Sequence, residues 1–452
     1  MTVPLADLFH AGTALPCPPH GRVLLDAAEW QALLAALAAA PTTRVRALWA
    51  DAAQVHMALA LPGAPVVSTA IADAGYQAPS AVRPMLAWQE RMIADLWGHA
   101  ARGGAGCPSG PDHGLWPLRP PLAADPQPTP RTPPSGPFPD ADETDTPFLG
   151  RGPVGDVIGQ AAHLRLHLSG TAIARATPRL GYVHRGLIAL MRGTSARAAA
   201  RFAARLAGDS TVAHSLAFAR AVEAAAGIAA PPRAEALRAI MAAMERLSGA
   251  LGILAGLARA LAADRVAASC EAGLEILARA ADAAFGHRMM MDVVVPGGVA
   301  LDLAPEQATA LNEALARLES QLAPLRPADG PLAELAAALP ASVPRAAHPG
   351  RRMASVVAGW QAAREMLGQM PGGPINVPVP LESGEALGEA EGPRGHVLHW
   401  LRMEGGILAA LFPHDPAWSE WPALDAALTG TPVAEHDIIL AALAPSAPGI
   451  DL

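Results

Sequence analysis

The sequence predicts an α+β protein: a small α/β N-terminal domain, a proline-rich linker, and a mainly α-helical bundle domain with small peripheral β-sheets. Three observations carry that expectation. Residues 121–147 read PLAADPQPTPRTPPSGPFPDADETDTP, a mixture of proline, acidic and small polar residues that cannot bury enough apolar surface to offset chain entropy. Before this stretch, short β-like runs follow a helical pattern. After it, long segments with apolar residues at helical spacing dominate to residue 325. The expected units are therefore 1–120, the linker 121–147, and 148–452.

Taken in order, Ala27–Ala40 carries a helical pattern, and the runs around Thr43–Trp49 and Val55–Leu61 read as strands of a small α/β sandwich. In Met85–Ala100 the residues Leu86, Met92, Ile93, Leu96 and Trp97 share one helical face. Glu90, Arg91 and Asp95 flank it, either as solvated charges or as a docking face. The second unit opens with strand-like alternation in His163–Leu168 and Thr171–Ala176, joined by Ser169-Gly170, a dipeptide that favours a tight hairpin. Helical periodicity then runs through Ser195–Ala207, Thr211–Gly227, Pro232–Arg259, Ala262–Phe285 and Pro305–Leu325. Pro232 suits a first helical turn, where its missing N–H costs nothing.

Composition narrows the function. The 452 residues are 51% hydrophobic and 16% charged, with a formal net charge of -8 and every one of the 33 basic residues an arginine. A net negative chain without a basic run is not expected to bind nucleic acid, which needs a concentrated positive surface. Residues Met1–Leu15 lack a basic segment followed by an apolar core, so no secretory signal is expected. The charge-free stretch Leu247–Ala258 is shorter than the ~20 residues that cross a bilayer. Cys17, Cys107 and Cys270 are scattered and odd in number, which fits a reducing compartment and no disulfide framework.

Several stretches resemble known respiratory subunits. WQERMIADLWGHA (88–100) followed by PDHGLWPLRPP (111–121) resembles the end of the 30 kDa subunit of complex I. RLGYVHRGLIALMRG (179–193), GDSTVAHSLAFARAVEAAAGIAAPPRAEALRAIMAAMERL (208–247), EGPRGHVLHWLRMEGG (391–406) and DPAWSEWPALDAALTGTPVAEHD (415–437) together resemble the 49 kDa subunit of complex I and the large subunit of group 4 [NiFe]-hydrogenases. The resemblance implies a fused subunit of a membrane-associated, complex I-like electron-transfer complex, peripheral on the cytoplasmic face of the inner membrane. Its implied partners are a small 20 kDa-like iron–sulfur subunit, a ferredoxin-like iron–sulfur subunit and membrane-embedded ion-translocating subunits.

A nickel–iron site needs four thiolates, supplied in such hydrogenases by two CxxC pairs, because soft sulfur ligands select those metals. By the resemblance the early pair falls at Ala207 and Ser210 and the late pair within Leu440–Leu452, where no cysteine stands. No metal or cofactor is therefore expected on this chain, and a full cysteine set for an iron–sulfur cluster is missing too. Quinone is the remaining ligand the family implies. Tyr182 matches the family's quinone-site tyrosine and can act as a proton donor, but its partner histidine aligns with Gly155.

His184 and Arg185 share that turn; the arginine anchors a carboxylate, faces a neighbouring cluster, or forms a structural ion pair. Asp209 and His214 stand where the hydrogenase pocket begins, as a proton path or as helix-capping residues together with Ser210 or Thr211. Glu245 and Arg246 read as a packed ion pair or helix-face charges, with a proton relay as the alternative. Two patterns are expected to be decoys. Gly150, Gly152 and Gly155 spell G-x-G-x-x-G but follow the linker rather than a strand and enclose Pro153. The set His163, His167, His184, His396 and His399 lacks a second ligand cluster and reads as structural. A chemically inactive scaffold that couples partner subunits is the competing expectation for the whole chain.

Overall fold

The N-terminal segment opens with α1 (Leu5–Ala11), β1 (Thr13–Leu15), β2 (Arg22–Leu25) and α2 (Ala27–Ala39). The start of α2 is set by Asp26, which accepts from the N–H groups of Ala28 and Glu29 while Glu29 accepts from the Asp26 N–H. Strands β3 (Val45–Ala50), β4 (Gln54–Leu59) and β5 (Val66–Ala70) complete a sheet of order β1-β2-β5-β4-β3, with β2 and β5 parallel and the other pairs antiparallel. This is a computed structural model that describes every residue except 1–4, 62, 64–65, 107–111, 115, 130–146, 155–160, 328, 345–346 and 381. Cys107, Gly155 and most of the expected linker lie outside the described residues.

β6 (Gly75–Gln77) and β7 (Ala100–Arg102) pair in parallel around α3 (Ala87–Trp97), which is shorter than the periodicity suggests because Gly98 takes a left-handed φ of 79°. Two of its charges are not solvated. Glu90 is buried and accepts from the Ser80 N–H and hydroxyl, each at 2.6 Å. Asp95 is largely shielded, with Arg91 at 2.9 Å. The short pair β8 (Leu118–Arg119) and β9 (Gln127–Pro128) leads toward the second segment.

There β10 (Phe148–Arg151), β11 (His163–Ser169) and β12 (Ala172–Arg179) form an antiparallel sheet, with Gly170 at φ 64° in the hairpin. The helices come next: α4 (Leu187–Met191), α5 (Ala196–Ala203), α6 (Thr211–Ala225), α7 (Pro232–Ala260) and α8 (Asp264–Phe285), then the β13 (Val294–Val295)–β14 (Gly298–Val299) hairpin, α9 (Pro305–Leu322), α10 (Pro331–Ala337) and α11 (Pro349–Gly368). α7 is long and apolar enough to cross a bilayer, but 67% of its apolar window is buried against other parts of the protein, as befits a core helix. It packs on α8, α11 and α13 (His436–Leu443). The last stretch runs through the three-stranded sheet β15 (Gly384–Glu391), β16 (His396–Glu404), β17 (Ile407–His414), then α12 (Ala417–Leu428), α13 and α14 (Pro448–Asp451).

The β15–β17 sheet carries the buried His399 and His414 and leads into Asp415. Strand side chains alternate between faces, and here the alternation separates two environments. Gly384, Ala386, Gly388 and Ala390 lie toward α6, so the strand and helix backbones meet almost directly: a Cβ on Gly388 would stand 2.0 Å from the Ala217 carbonyl oxygen. The opposite face meets the N-terminal segment. There Arg22 contacts Glu385 at 2.8 Å, Arg46 contacts Glu389 at 2.7 Å, Arg402 contacts Asp51 at 2.8 Å, and Trp49 stacks on Phe412 with centroids 5.8 Å apart. One apolar core is consequently shared by the N-terminal sheet, β10–β12 and β15–β17, and a second is built around α7.

Replacing Gly388 by alanine is expected to destabilise the chain by about 3 kcal/mol, because helix and strand must separate to admit one methyl. Gly252→Ala, where an added Cβ meets nothing within 4 Å, should instead gain about 0.5–1 kcal/mol from helix propensity. Urea unfolding of both variants checks the contrast; equal effects would contradict the close approach.

Candidate functional site

Arg394, in the turn between β15 and β16, organises a buried ion cluster. Its side chain is only 3% exposed and faces three acids: Asp209 just before α6, Asp415 after β17 at 3.0 Å, and Glu420 on α12 at 3.4 Å. Asp415 also accepts from His214 Nε2 at 3.0 Å and from the Ala417 N–H at 2.8 Å. The other ring nitrogen of His214 lies 3.0 Å from His399 Nε2. His399 reaches it because odd-numbered residues of β16 face α6, opposite Gly388 of β15.

Burial alone pushes the Asp415 carboxyl up, but the Arg394 charge and the His214 hydrogen bond outweigh it and hold the group well below the usual carboxylate range. Burial depresses His399 well below an ordinary histidine, assisted by the neighbouring His214. Burial also lowers His414 to about 3. Glu420 differs: burial, with the Asp415 charge adding to it against Arg394, raises its carboxyl to about 8. Near neutrality it therefore rests beside the arginine mostly as the neutral acid.

Glu245 of α7 is buried and accepts from the N–H groups of Val212 at 2.5 Å and Ala213 at 2.9 Å, the open donors at the start of α6. This corrects the expected capping: Ser210 occupies the cap position without a side-chain cap bond, and Asp209 is engaged by Arg394. Burial raises Glu245 to about 8 despite those two bonds. Glu245 is thus neither a helix-face charge nor one half of an ion pair with Arg246.

Tyr182, His184 and Arg185 sit together on the turn after β12. Asp451, on α14, accepts from the Gly181 and Val183 N–H groups at 2.7 and 3.0 Å, and its own carbonyl contacts His184 Nδ1. Among the described residues Arg185 forms no ion pair, although Asp451 acts on it at longer range; its guanidinium donates to the carbonyls of Arg205 and Leu206 at 2.6 and 2.8 Å, one step before Ala207. From the N-terminal segment, Trp116 stacks on His184 at 4.3 Å and His113 meets Tyr182 edge-on at 4.6 Å. The Tyr182 hydroxyl is shielded and finds no hydrogen-bond partner among the described residues, and burial raises it above an ordinary phenol.

The five expected site residues thus form two groups. Asp209 and His214 join through Arg394 and Asp415; Tyr182, His184 and Arg185 are tied to them by the 205–206 carbonyls and by the tail, where Gly449 lies so close to Asp415 that a Cβ would stand 2.4 Å from its Oδ1. Asp209, Glu245 and Arg394 also line a cavity of about 1310 Å³ between α7, α8 and the stretch Ala441–Pro445, with room left by Gly249, Gly252 and Gly256; Tyr182 is not among its lining residues. Sequence reasoning does not single out Arg394, Asp415, Glu420 or Asp451, and it reads His399 as structural. The signal for the first three is their place in the stretches 391–406 and 415–437.

Residues 185–251 match the family described as nickel-dependent hydrogenase. The chain is 23% identical over 346 residues to the carbon monoxide-induced hydrogenase of Rhodospirillum rubrum, covering 65% of this chain and 96% of that protein. It is 32% identical over 213 residues to hydrogenase-4 component G of Escherichia coli, 43% of this chain and 37% of that one. With the D 2 subunit of NADH-quinone oxidoreductase from Rhizobium meliloti it shares 34% over 140 residues, 31% of this chain and 35% of the relative. The chain therefore spans only about a third of the length of those last two relatives. A chain of the membrane-bound sulfane sulfur reductase, an archaeal respiratory membrane complex, has the same fold at a TM-score of 0.57 and 19% identity, covering 69% of this chain and 100% of that one. The protein is homologous to group 4 hydrogenase large subunits and to the D subunits of NADH-quinone oxidoreductase.

Glu420 makes the electrostatics testable. Its folded-state carboxyl titrates at about 8, against roughly 4.3 for an unfolded glutamate. Folding therefore takes up a proton between those values, and the stabilisation is complete at low pH and lost as pH rises through the folded value. Relative to Glu420→Gln, the native chain should lose stability between pH 5 and 8 by up to about 1.4 kcal/mol per pH unit. Denaturant titrations of both proteins at four pH values measure the difference, and a flat difference would contradict the assignment.

Proposed function

We propose that this chain is the large subunit of a membrane-associated, complex I-like electron-transfer assembly, in which a proton-holding ion cluster takes the position of a nickel–iron centre. The observation that supports it is the donor set. At the positions to which the resemblance assigns the early thiolates stand Ala207 and Ser210, both buried, and Asp209 between them is engaged by Arg394, which Asp415 joins to the two histidines. Residues 440–452 offer no sulfur. Cys17 and Cys270 are buried, with thiols raised by that burial and so poor in thiolate. These residues do not supply the four thiolates of a nickel–iron group.

What the cluster can do is exchange protons. An arginine keeps its charge under ordinary conditions, so a change of charge in the cluster falls on its carboxyl groups. Glu245 and Glu420, both at about 8, are the members closest to changing state at physiological pH. In this assembly, docked on the cytoplasmic face of the membrane, an iron–sulfur partner brings the electrons and membrane-embedded subunits use the resulting proton and conformational change.

A second reading, quinone reduction at Tyr182, is favoured by one contact: His113 arrives at Tyr182 at 4.6 Å from the N-terminal segment, although the family's partner histidine is missing.

Metal analysis of the purified assembly is expected to find nickel far below one atom per chain; stoichiometric nickel would refute the first reading. Asp415→Asn should slow turnover of the whole assembly about tenfold or more and shift its pH profile, whereas Tyr182→Phe should stay within about twofold. Loss of quinone-analogue reduction in Tyr182→Phe, with Asp415→Asn unaffected, would put the second reading in place of the first.

A further inference from the structure

A second cavity, about 540 Å³, opens on the other side of Arg394 between α7, α11 and α12. Its lining is unusual for its charges. Arg246 of α7 and Arg351 and Arg352 in the first turn of α11 converge on it. Among the described residues neither Arg246 nor Arg351 forms a side-chain hydrogen bond or ion pair; Arg246 is half-buried and acts at longer range on Glu245, and Arg351 is exposed at the rim. Arg352 spends one nitrogen on the Ala442 carbonyl at 2.8 Å, while its Nε is shielded from solvent and has no acceptor among the described residues. Elsewhere, arginines with little exposure have acids against them: Arg238 has Glu223 and Glu235, Arg22 has Glu385, and Arg394 has its three acids.

The acids lining the same cavity are Glu391 and Glu420. Glu420 lies 3.4 Å from Arg394 and also acts on Arg352, and burial raises its carboxyl to about 8, which weakens it as a fixed counter-charge. Three guanidinium groups gathered around a recess repel one another unless an anion intervenes, and guanidinium presents planar, paired donors that match oxyanion edges. The α11 N-terminus adds a favourable dipole for negative charge at the same wall.

We propose that this recess is a binding site for a small, multiply charged oxyanion in solution, of the phosphate or polycarboxylate class, held by Arg246, Arg351 and Arg352. The site is separate from the large cavity, although Arg394 borders both. It stands independently of the function proposed above.

The test uses the full chain at constant ionic strength, titrated calorimetrically with inorganic phosphate and with pyrophosphate against a chloride control. Saturable pyrophosphate binding at one site per chain is expected, tighter than phosphate. Arg246→Gln and Arg352→Gln should each weaken it about tenfold, and Arg279→Gln, which removes an equal charge from an exposed site on α8, should not. Circular dichroism of each variant verifies folding, and if Arg352→Gln fails to fold, Arg246→Gln alone decides. Absence of saturable binding, or equal binding by Arg246→Gln, would overturn the proposal. A parallel arm with phosphatidylglycerol vesicles separates sources: vesicle capture abolished by Arg246→Gln, without pyrophosphate binding, would assign the arginines to a lipid surface and also overturn it.

Discussion

A single guanidinium that cannot shed its charge holds the buried polar region of the second segment together. Arg394 is almost fully removed from water, and removing a cation from water costs several kcal/mol unless its neighbours compensate. The compensation comes from three separate stretches of chain, before α6, after β17 and on α12, so their relative positions are constrained by one ion. His214 and His399 then take their places because Asp415 is already committed. The two glutamates that carry raised carboxyl values are the adjustable members of an otherwise fixed charge arrangement.

The large elements were legible because their signals are local. α2, α6, α7, α8 and α9 follow apolar spacing, and the β11–β12 hairpin follows from Ser169-Gly170. Helix ends were less legible: Gly98 halts α3 by a left-handed turn, and α5 stops at Ala203. The relations within the site were harder still. Asp209 meets an arginine 185 residues away, a contact that no periodicity carries. Glu245 looked like a helix-surface charge because α7 is buried around much of its circumference, so an amphipathic pattern could not say what each face touches. His399 was recoverable in principle from the small residues of β15, since Gly384, Ala386, Gly388 and Ala390 mark the face that a helix can approach.

The N-terminal segment is more than an appendage joined by a linker. Its sheet shares an apolar core with β15–β17, and its charged residues close across the boundary onto Glu385, Glu389 and Arg402. His113 and Trp116 reach as far as the Tyr182 turn, where they meet the rings of Tyr182 and His184. Ser68, His56 and Asp51 align as a hydroxyl–imidazole–carboxylate series at 2.8 and 3.4 Å, but all three are fully buried and serve to satisfy one another beneath Arg402.

The contact of Gly384 and Gly388 with α6 has a mechanical meaning. With no side chain between backbone and backbone there is nothing compressible to absorb strain, because packed interiors yield little. A push delivered by the N-terminal sheet on one side of β15–β17 would reach the histidine-bearing helix on the other side nearly undamped. The three-stranded sheet then acts as a stiff lever, with the arginine turn at its working end.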